Sequence, residues 1–540
     1  MSKGSLTIVG TGFLPGGHVT AETMAYIRQA DQVFTLADSI TERWLASLNP
    51  TAESLRDAYA EGKSRRVSYE EMADRILAPL SGGAKVCAVF YGHPGVFVLP
   101  SHQAIQRARE MGFQARMLPA VSAEDCLFAD LGVDPAGTGL QSFEATDFLL
   151  QPRVFDSASA LVLWQIGAIG VPTFKPQKLW SRSGLGILTE RLLETYPREH
   201  EVVVYTNSGL PICDPQIDPL SLAELPHADV STGSTLWIPP ARRPKLDEGM
   251  RARLGLSPRA ETLPKPLVDL KRSFDRPASK PEGQLTFMGL GYKVAGQVGA
   301  QTHGYLEMVD RLFYLVTDSV TAHWLEGLHP AAESLTECYK EGERGSIAAA
   351  AMLVRILESL REGLHVGVAF SGHPAIGLWI SQEAVRLARR AGYRVQVLPA
   401  ISFEDCLIAD LGADPAHGRA MYDATDFLLH PRQLDPSTAL VLLQVGVLGE
   451  SLYRKGTTTS ADRMACLTEA LMNGYPEDHR VTLYRITTLL PFEPSLQVLP
   501  LKDLPQADLS PDLTLYVPRQ GEARSDLAVA QRLGYTTTSS

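Results

Sequence analysis

The sequence predicts an α/β fold built twice in tandem, on three observations. First, residues 117–136, MLPAVSAEDCLFADLGVDPA, recur as residues 397–416, VLPAISFEDCLIADLGADPA, identical at 15 of 20 positions at an offset of 280. Residues 41–62 recur in the same way at 321–342, and ATDFLL at 145–150 returns at 424–429. Second, within each copy short apolar runs ending at glycine alternate with stretches of helical apolar spacing, the pattern of parallel strands joined by crossover helices. Third, 540 residues exceed what one core holds, and the repeat divides them into two units.

Each copy opens with a strand and a glycine turn, SLTIVGTG at 5–12 and QLTFMGLG at 284–291. A helical stretch follows, then a second strand ending in a turn, KVCAVFYGHPG at 85–95 and HVGVAFSGHPA at 365–375. After another helix, ARMLPAVS at 115–122 is a short strand whose loop opens a helix. Ligand loops are expected at the carboxyl ends of such strands. The later part of each copy is richer in strands, in the first copy ALVLWQIG (160–167), EVVVYTNS (201–208) and STLWIPP (234–240). Each copy therefore reads as two α/β lobes with a cleft between them.

The expected divisions are 1–245, a linker at 246–283, and 284–540. Residues 242–280 carry an excess of Lys and Arg with several prolines and read as a solvated connector. LDEGMRARLGL (246–256) and SDLAVAQRLGY (525–535) hold corresponding places with helical spacing, so each copy is expected to end in a packed helix.

A hydrophobic content of 45% with 21% charged residues fits an ordinary globular protein, and a net charge of −11 gives no footprint for nucleic acid. The six cysteines show no metal-ligand spacing, which points to a reducing cytoplasm and no metal site. The longest apolar run, ALVLWQIGAIGV at 160–171, is too short to span a bilayer. No dinucleotide fingerprint or phosphate loop is present.

The chemistry-bearing candidates emerge from comparing the copies. Where the first reads YAEGKSRRVSY (59–69), the second reads YKEGERGSIAA (339–349). Tyr59, Arg65 and Tyr69 can converge if the segment is a loop entering a helix, and a guanidinium beside a phenol favours the phenolate. The second copy keeps Tyr339 but has Gly345 for Arg65, Ala349 for Tyr69 and Ser371 for Tyr91. Arg344 stands one place early and replaces Arg65 only if the loop shifts register. His93 recurs as His373, which favours a role in structuring the loop or contacting a ligand over that of a general base.

The runs SLTIVGTG, GKSR with a tyrosine four positions on, FYGHPGVFV, MLPAVSAEDCLFADL, FEATDFL and STLWIPP cover nearly all of the first copy in order. With them the chain resembles the borosin peptide backbone α-N-methyltransferases, the omphalotin-type enzymes of the tetrapyrrole methylase superfamily. The second copy resembles them more loosely. The resemblance implies two tandem tetrapyrrole-methylase-like units, each holding S-adenosylmethionine between its lobes and leaving S-adenosylhomocysteine. It places Tyr59, Arg65 and Tyr69 on the catalytic set. It places Tyr91, His93, Val96, Ser122, Ala123, Gln165, Tyr205, Ser234 and Thr235 in the cofactor shell, with no metal. Arg56 departs from the tyrosine of the omphalotin-type sequence and implies a differently shaped substrate channel.

The implied activity is methylation of backbone amides in a precursor peptide. The second copy, with Phe403 for Ala123, Ala375 for Gly95 and Gly377 for Phe97, is expected to be a pseudoenzyme serving as built-in partner. Family enzymes work as interlocked homodimers, so either an intrachain pseudo-dimer or a further homodimer is expected. RLGYTTTSS (532–540) lacks the hydrophobic core peptide of fungal members, which implies a precursor arriving as a separate chain. A methyltransferase acting on a tetrapyrrole-like small molecule and a peptide-binding scaffold are the alternatives.

Overall fold

The computed structural model describes residues 4–210, 213–257, 265–274, 282–489, 492–521 and 524–535. In the first copy β1 (Ser5–Gly10), β2 (Gln32–Leu36), β3 (Ala52–Ser54), β4 (Lys85–Phe90) and β5 (Gln114–Met117) make a parallel sheet in the order β3-β2-β4-β1-β5. The inner strands β1 and β4 are nearly continuous apolar runs because helices cover both sheet faces. The glycine turn after β1 closes on the one after β4: Gly92 N–H donates to Gly12 O (2.9 Å) and Gly12 N–H to Gly92 O (3.3 Å).

The second lobe contains β6 (Leu140–Glu144), β7 (Ala160–Trp164), β8 (Glu201–Thr206), β9 (Gln216–Ser221) and β10 (Thr235–Ile238). Here only β6 and β7 run parallel, and the remaining pairings are antiparallel. The second copy repeats the plan. Its parallel sheet contains β11 (Gln284–Gly289), β12 (Arg311–Leu315), β13 (Ala332–Ser334), β14 (His365–Phe370) and β15 (Arg394–Leu398), in the equivalent order. Its other lobe contains β16 (Arg419–Asp423), β17 (Ala439–Leu443), β18 (Arg480–Arg485), β19 (Ser495–Pro500) and β20 (Thr514–Val517).

The sequence reading did not anticipate that these two mixed sheets are one. Strand β6 pairs antiparallel with β16, in the register Leu140↔Met421, Gln141↔Ala420 and Ser142↔Arg419. The result is a ten-stranded sheet, β19-β18-β20-β17-β16-β6-β7-β10-β8-β9. Pairing through edge strands satisfies two rows of backbone groups that would otherwise face water.

The terminal helices differ from expectation in a second way: each packs on the other copy. The helix Glu248–Arg253, which follows the first copy, puts Leu254 (1% exposed) into the core around β17 and β18. Asp247 N–H donates to Leu429 O (2.7 Å), and Arg253 pairs with Glu469 (2.7 Å). Conversely the helix Leu527–Arg532 rests Val529 and Leu533 on the core around β7 and β8. There Asp526 N–H donates to Leu150 O (2.6 Å), and Arg532 pairs with Glu190 (2.5 Å). Helical spacing predicts an apolar face but not which core receives it.

The solvated connector is also corrected in part. Within it the helix Lys265–Phe274 buries Leu267 and Phe274 against the second copy's parallel lobe, and Lys271 pairs with Glu383 (2.5 Å). Leu267 and Phe274 lie seven residues apart, two helical turns, and so share one face. Among the described residues no helix is long and apolar enough to cross a membrane, the six cysteines are free thiols, and no cluster suits a metal ion.

Candidate active site between the lobes of the first copy

Tyr59 ends the short 3-10 turn Arg56–Ala58, and Arg65 is the first residue of the helix Arg65–Leu77. Tyr69 is one helical turn on from Arg65, so both leave the same face. The loop they share is clamped to the second lobe by an antiparallel bridge, Ser64↔Thr173. Around it Arg65 N–H donates to Pro172 O (3.0 Å), Gly62 N–H to Phe174 O (3.0 Å) and Phe174 N–H to Lys63 O (3.0 Å).

The clamp fixes the guanidinium. Arg65 Nη2 donates to Val171 O (3.1 Å), and its face lies 5.5 Å from the Trp180 ring centroid. Phe174 joins the two halves of the cluster, meeting Trp180 edge-on (5.9 Å, 83°) and stacking on Tyr59 (5.2 Å, 26°). Tyr59 and Tyr69 meet edge to face at 6.3 Å. The expected phenolate is not favoured at Tyr59, because burial and the neighbouring phenols push its pKa well up and outweigh the Arg65 charge.

Glu144, which sequence reasoning passed over, lies behind Arg65. It caps the helix Ala145–Leu150, accepting from Asp147 N–H (2.8 Å) and Thr146 Oγ1 (3.0 Å). Burial raises its pKa to about 7, against those hydrogen bonds and the Arg65 charge. Thr146 Oγ1 in turn accepts from Gly170 N–H (3.2 Å), so Glu144 braces the loop that holds Arg65. A carboxylate recurs there as Asp423, the signal that sequence comparison offered. Phe174 and Trp180 were also missed, although the second copy replaces them with Tyr453 and Thr459.

The residues assigned to a cofactor fall into two groups. On the strand ends of the second lobe, Gln165 follows β7 in the left-handed region at φ 57°, and Ile166 N–H donates to Ser234 O (3.1 Å). Thr235 pairs with Tyr205 across β10 and β8, and Ser234 Oγ contacts Thr206 Oγ1 (2.8 Å). The Tyr205 hydroxyl donates to Asp130 (2.7 Å). In the first lobe Tyr91 is exposed at the end of β4, edge-on to Phe13 (6.1 Å), and is near enough to Tyr59 to act on its pKa. Ser122 and Ala123 begin the helix Ala123–Leu131 in a capping box with Asp125. Val96 and Ser122 line a small void together with Trp164 of the second lobe, while Ala123 and Tyr205 share an apolar cluster.

His93 bonds the backbone through both ring nitrogens. Its Nδ1 accepts from Gly95 N–H (2.9 Å), so the neutral ring donates from Nε2 to the Asp405 carbonyl of the second copy (3.0 Å). Burial lowers its pKa to about 3. His373 makes the mirror contact to Asp125 O (3.0 Å). Arg56 reaches the Ala37 carbonyl and Glu42 rather than the Tyr59 cluster.

In the second copy the backbone clamp survives but the arginine and the second tyrosine do not. Arg344 bridges to Leu452 in the place of Ser64, and Gly345 begins the helix Gly345–Arg361 as Arg65 begins its own. The register has not shifted, so Arg344 does not take the place of Arg65. Tyr339 stacks on Tyr453 (4.9 Å) where Tyr59 stacks on Phe174. Phe403 packs into the apolar cluster at the position of Ala123. Phe97 holds φ 56° beside Trp164 (5.8 Å), whereas Gly377 adopts φ 67° at the same place without strain.

Hydroxyls, an amide, aromatic rings and backbone groups at strand ends suit a neutral nucleoside joined to a short amino-acid chain. Strain at Phe97 and Gln165 fits loops shaped around a ligand. The chain is 42% identical over 258 residues to the methyltransferase/cyclic peptide gymnopeptides precursor of Gymnopus fusipes, covering 46% of this chain and 61% of that protein. It is 39% identical over 284 residues to the omphalotin A precursor of Omphalotus olearius, covering 52% of this chain and 66% of that protein. The uroporphyrin-III-C-methyltransferase of Thermus thermophilus aligns with 44% of this chain and 95% of its own, at 20% identity and a TM-score of 0.33. The model of the tetrapyrrole (corrin/porphyrin) methylases matches twice, at residues 5–224 and 284–489. Two matched segments with the same sheet order, one repeated motif for another, make this chain a tandem member of the tetrapyrrole (corrin/porphyrin) methylase family.

Proposed function

We propose that the first copy methylates backbone amide nitrogens of a precursor peptide supplied as a separate chain, and that the second copy is its non-catalytic partner. The observation that carries the reading is the Arg65 clamp. The cation, its Trp180 support and Tyr69 occur together in the first copy and are lost together in the second, as Gly345, Thr459 and Ala349. The relatives' names, methyltransferases fused to cyclic peptide precursors, support a peptide as acceptor.

S-adenosylmethionine, held by Gln165, Tyr205, Ser234, Thr235 and the loops at Tyr91 and Ser122, would supply an electrophilic methyl group. The acceptor is the harder problem, because an amide nitrogen's lone pair is delocalised into its carbonyl. Arg65, fixed by Val171 O and Trp180, stabilises negative charge on the amide oxygen as the N–H proton leaves. Tyr69, acting as the phenolate, takes that proton and becomes the phenol, while Tyr59, held neutral by burial, packs edge to face against it. Phe174, stacked on Tyr59 and edge-on to Trp180, walls one side of this step.

The test is mass spectrometry of a candidate precursor incubated with the protein and S-adenosylmethionine, fragmented to locate each added methyl group. Methylated backbone nitrogens, with the rate reduced about 10²–10³-fold by Arg65→Ala, are expected. An unmodified peptide alongside methylation of a small molecule would replace this reading with the tetrapyrrole-like one. A peptide that binds without turnover would leave a scaffold.

A further inference from the structure

The helix that follows the second copy ends on the loop that holds Arg65. Leu533 lies directly over Gly170: a Cβ added to that glycine would stand 3.1 Å from both Cβ and Cδ2 of Leu533. Gly170 is a junction between two polar branches of the site. The next residue, Val171, offers its carbonyl to the Arg65 guanidinium (3.1 Å). The Gly170 N–H donates to Thr146 Oγ1 (3.2 Å), whose hydroxyl bonds Glu144 (3.0 Å).

Beyond Leu533 the chain doubles back. Gly534 takes φ 86°, a left-handed turn that suits glycine, and Tyr535 N–H returns to Ala530 O (2.9 Å). The turn leaves Tyr535 half-buried, near enough to Glu144 and Arg65 for both charges to act on its phenol. Burial and the Glu144 charge keep that phenol neutral against the pull of Arg65.

The duplication supplies an internal control. The helix after the first copy lays Leu254 against Gly449, whose N–H donates to Thr425 Oγ1 (3.0 Å) as that of Gly170 does to Thr146. The backbone brace is thus present on both sides. The side chain at its end is not the same. RLGY at 532–535 corresponds to RLGL at 253–256, so the first copy's loop receives Tyr535 while the second copy's receives Leu256, which joins an apolar core. A hydroxyl accompanies the guanidinium of Arg65 and is missing where Gly345 stands in its place. Filling space does not call for that hydroxyl. A phenol both donates and accepts, so it can accept from a guanidinium while donating to a carboxylate, and leucine can do neither.

We propose that Tyr535 is a positioning residue of the first copy's site, its hydroxyl setting the direction of the Arg65 guanidinium against Glu144. The non-catalytic copy then completes, through the helix that follows it, a site whose catalytic residues it does not contain. The importance of the guanidinium's direction rests on the role given to Arg65 above.

Two variants of the full chain test this. Tyr535→Phe keeps the ring and removes the hydroxyl, and Tyr535→Leu reproduces the residue that the second copy receives. The first readout is exchange of the Arg65 Nε–H with water, followed by NMR on arginine-labelled protein and assigned by its loss in Arg65→Lys. The second is single-turnover methyl transfer to the precursor peptide, with KM for S-adenosylmethionine and the melting temperature alongside. Both variants are expected to speed the Nε–H exchange about tenfold and to lower kcat about tenfold, as for a lost hydrogen bond to a charged group, with KM and melting temperature unchanged. A purely structural tyrosine would be replaced by phenylalanine without effect. Parent-like Nε–H exchange in Tyr535→Phe would overturn the inference, and so would faster exchange with an undiminished kcat. A parent chain that methylates no peptide would refute the reaction proposed above, and the Nε–H exchange alone would then decide whether Tyr535 orients Arg65.

Discussion

At the scale of single residues, the candidate site depends on a cation and the ring beneath it. The Arg65–Trp180 contact is partly desolvated and is worth about 1–2 kcal/mol. Trp180→Ala is therefore expected to slow methyl transfer by roughly tenfold, mostly in kcat, because the guanidinium remains but is no longer fixed. Single-turnover kinetics would check this, and an effect confined to KM would assign Trp180 to peptide binding instead. On the proposed mechanism Tyr69→Phe should be costlier than Trp180→Ala, by roughly 10²-fold or more, because it removes the proposed first acceptor of the amide proton. Tyr59, Arg65 and Tyr69 were legible in the sequence because the second copy discards two of the three. Trp180, Phe174 and Glu144 were not, because they meet the trio only through lobe packing, from positions 75 or more residues along the chain. The phenolate expectation failed at Tyr59 for a related reason: burial is a property of the packed cluster, and spacing does not report it.

At the scale of elements, parallel strands and glycine turns were legible because a strand covered on both faces must be apolar throughout. The partners of the terminal helices were not, because an apolar face carries no address. Their exchange has a measurable consequence. Leu254 follows the first copy yet fills the second copy's core, so Leu254→Ala is expected to cost about 2–5 kcal/mol in urea denaturation. Methyl transfer at 25 °C should be retained, since the Arg65 clamp lies in the other copy. A Leu254→Ala loss below about 0.5 kcal/mol would mean that the helix is not held in solution as it is here. By contrast the exposed Arg532–Glu190 pair should contribute under about 1 kcal/mol, so Arg532→Ala is expected to be almost silent.

At the scale of the whole molecule, buried carboxyls set a pH dependence. Burial, with Asp125 nearby, pushes Glu404 up to about 8, and burial pushes Glu144 up to about 7. Below pH of about 4 both are protonated whether the chain is folded or not. As pH rises, the unfolded chain releases these protons first, so stability is lost between about pH 4 and 8 and then levels off. The slope approaches about 1.4 kcal/mol per pH unit for each group. Melting temperatures from pH 5 to 9 should fall accordingly, and Glu404→Gln should flatten the upper part of the curve. An unchanged slope in that variant would remove Glu404 from the account. The ten-stranded sheet has a final consequence, for cooperativity. Chains of two domains ordinarily melt in two steps, each domain independent of its neighbour. Here neither half can lose its mixed sheet without exposing the edge and the helix docking face of the other. Calorimetry should therefore show one transition for all 540 residues, with van't Hoff and calorimetric enthalpies in agreement. Duplication of a gene has, in thermodynamic terms, produced a single cooperative unit.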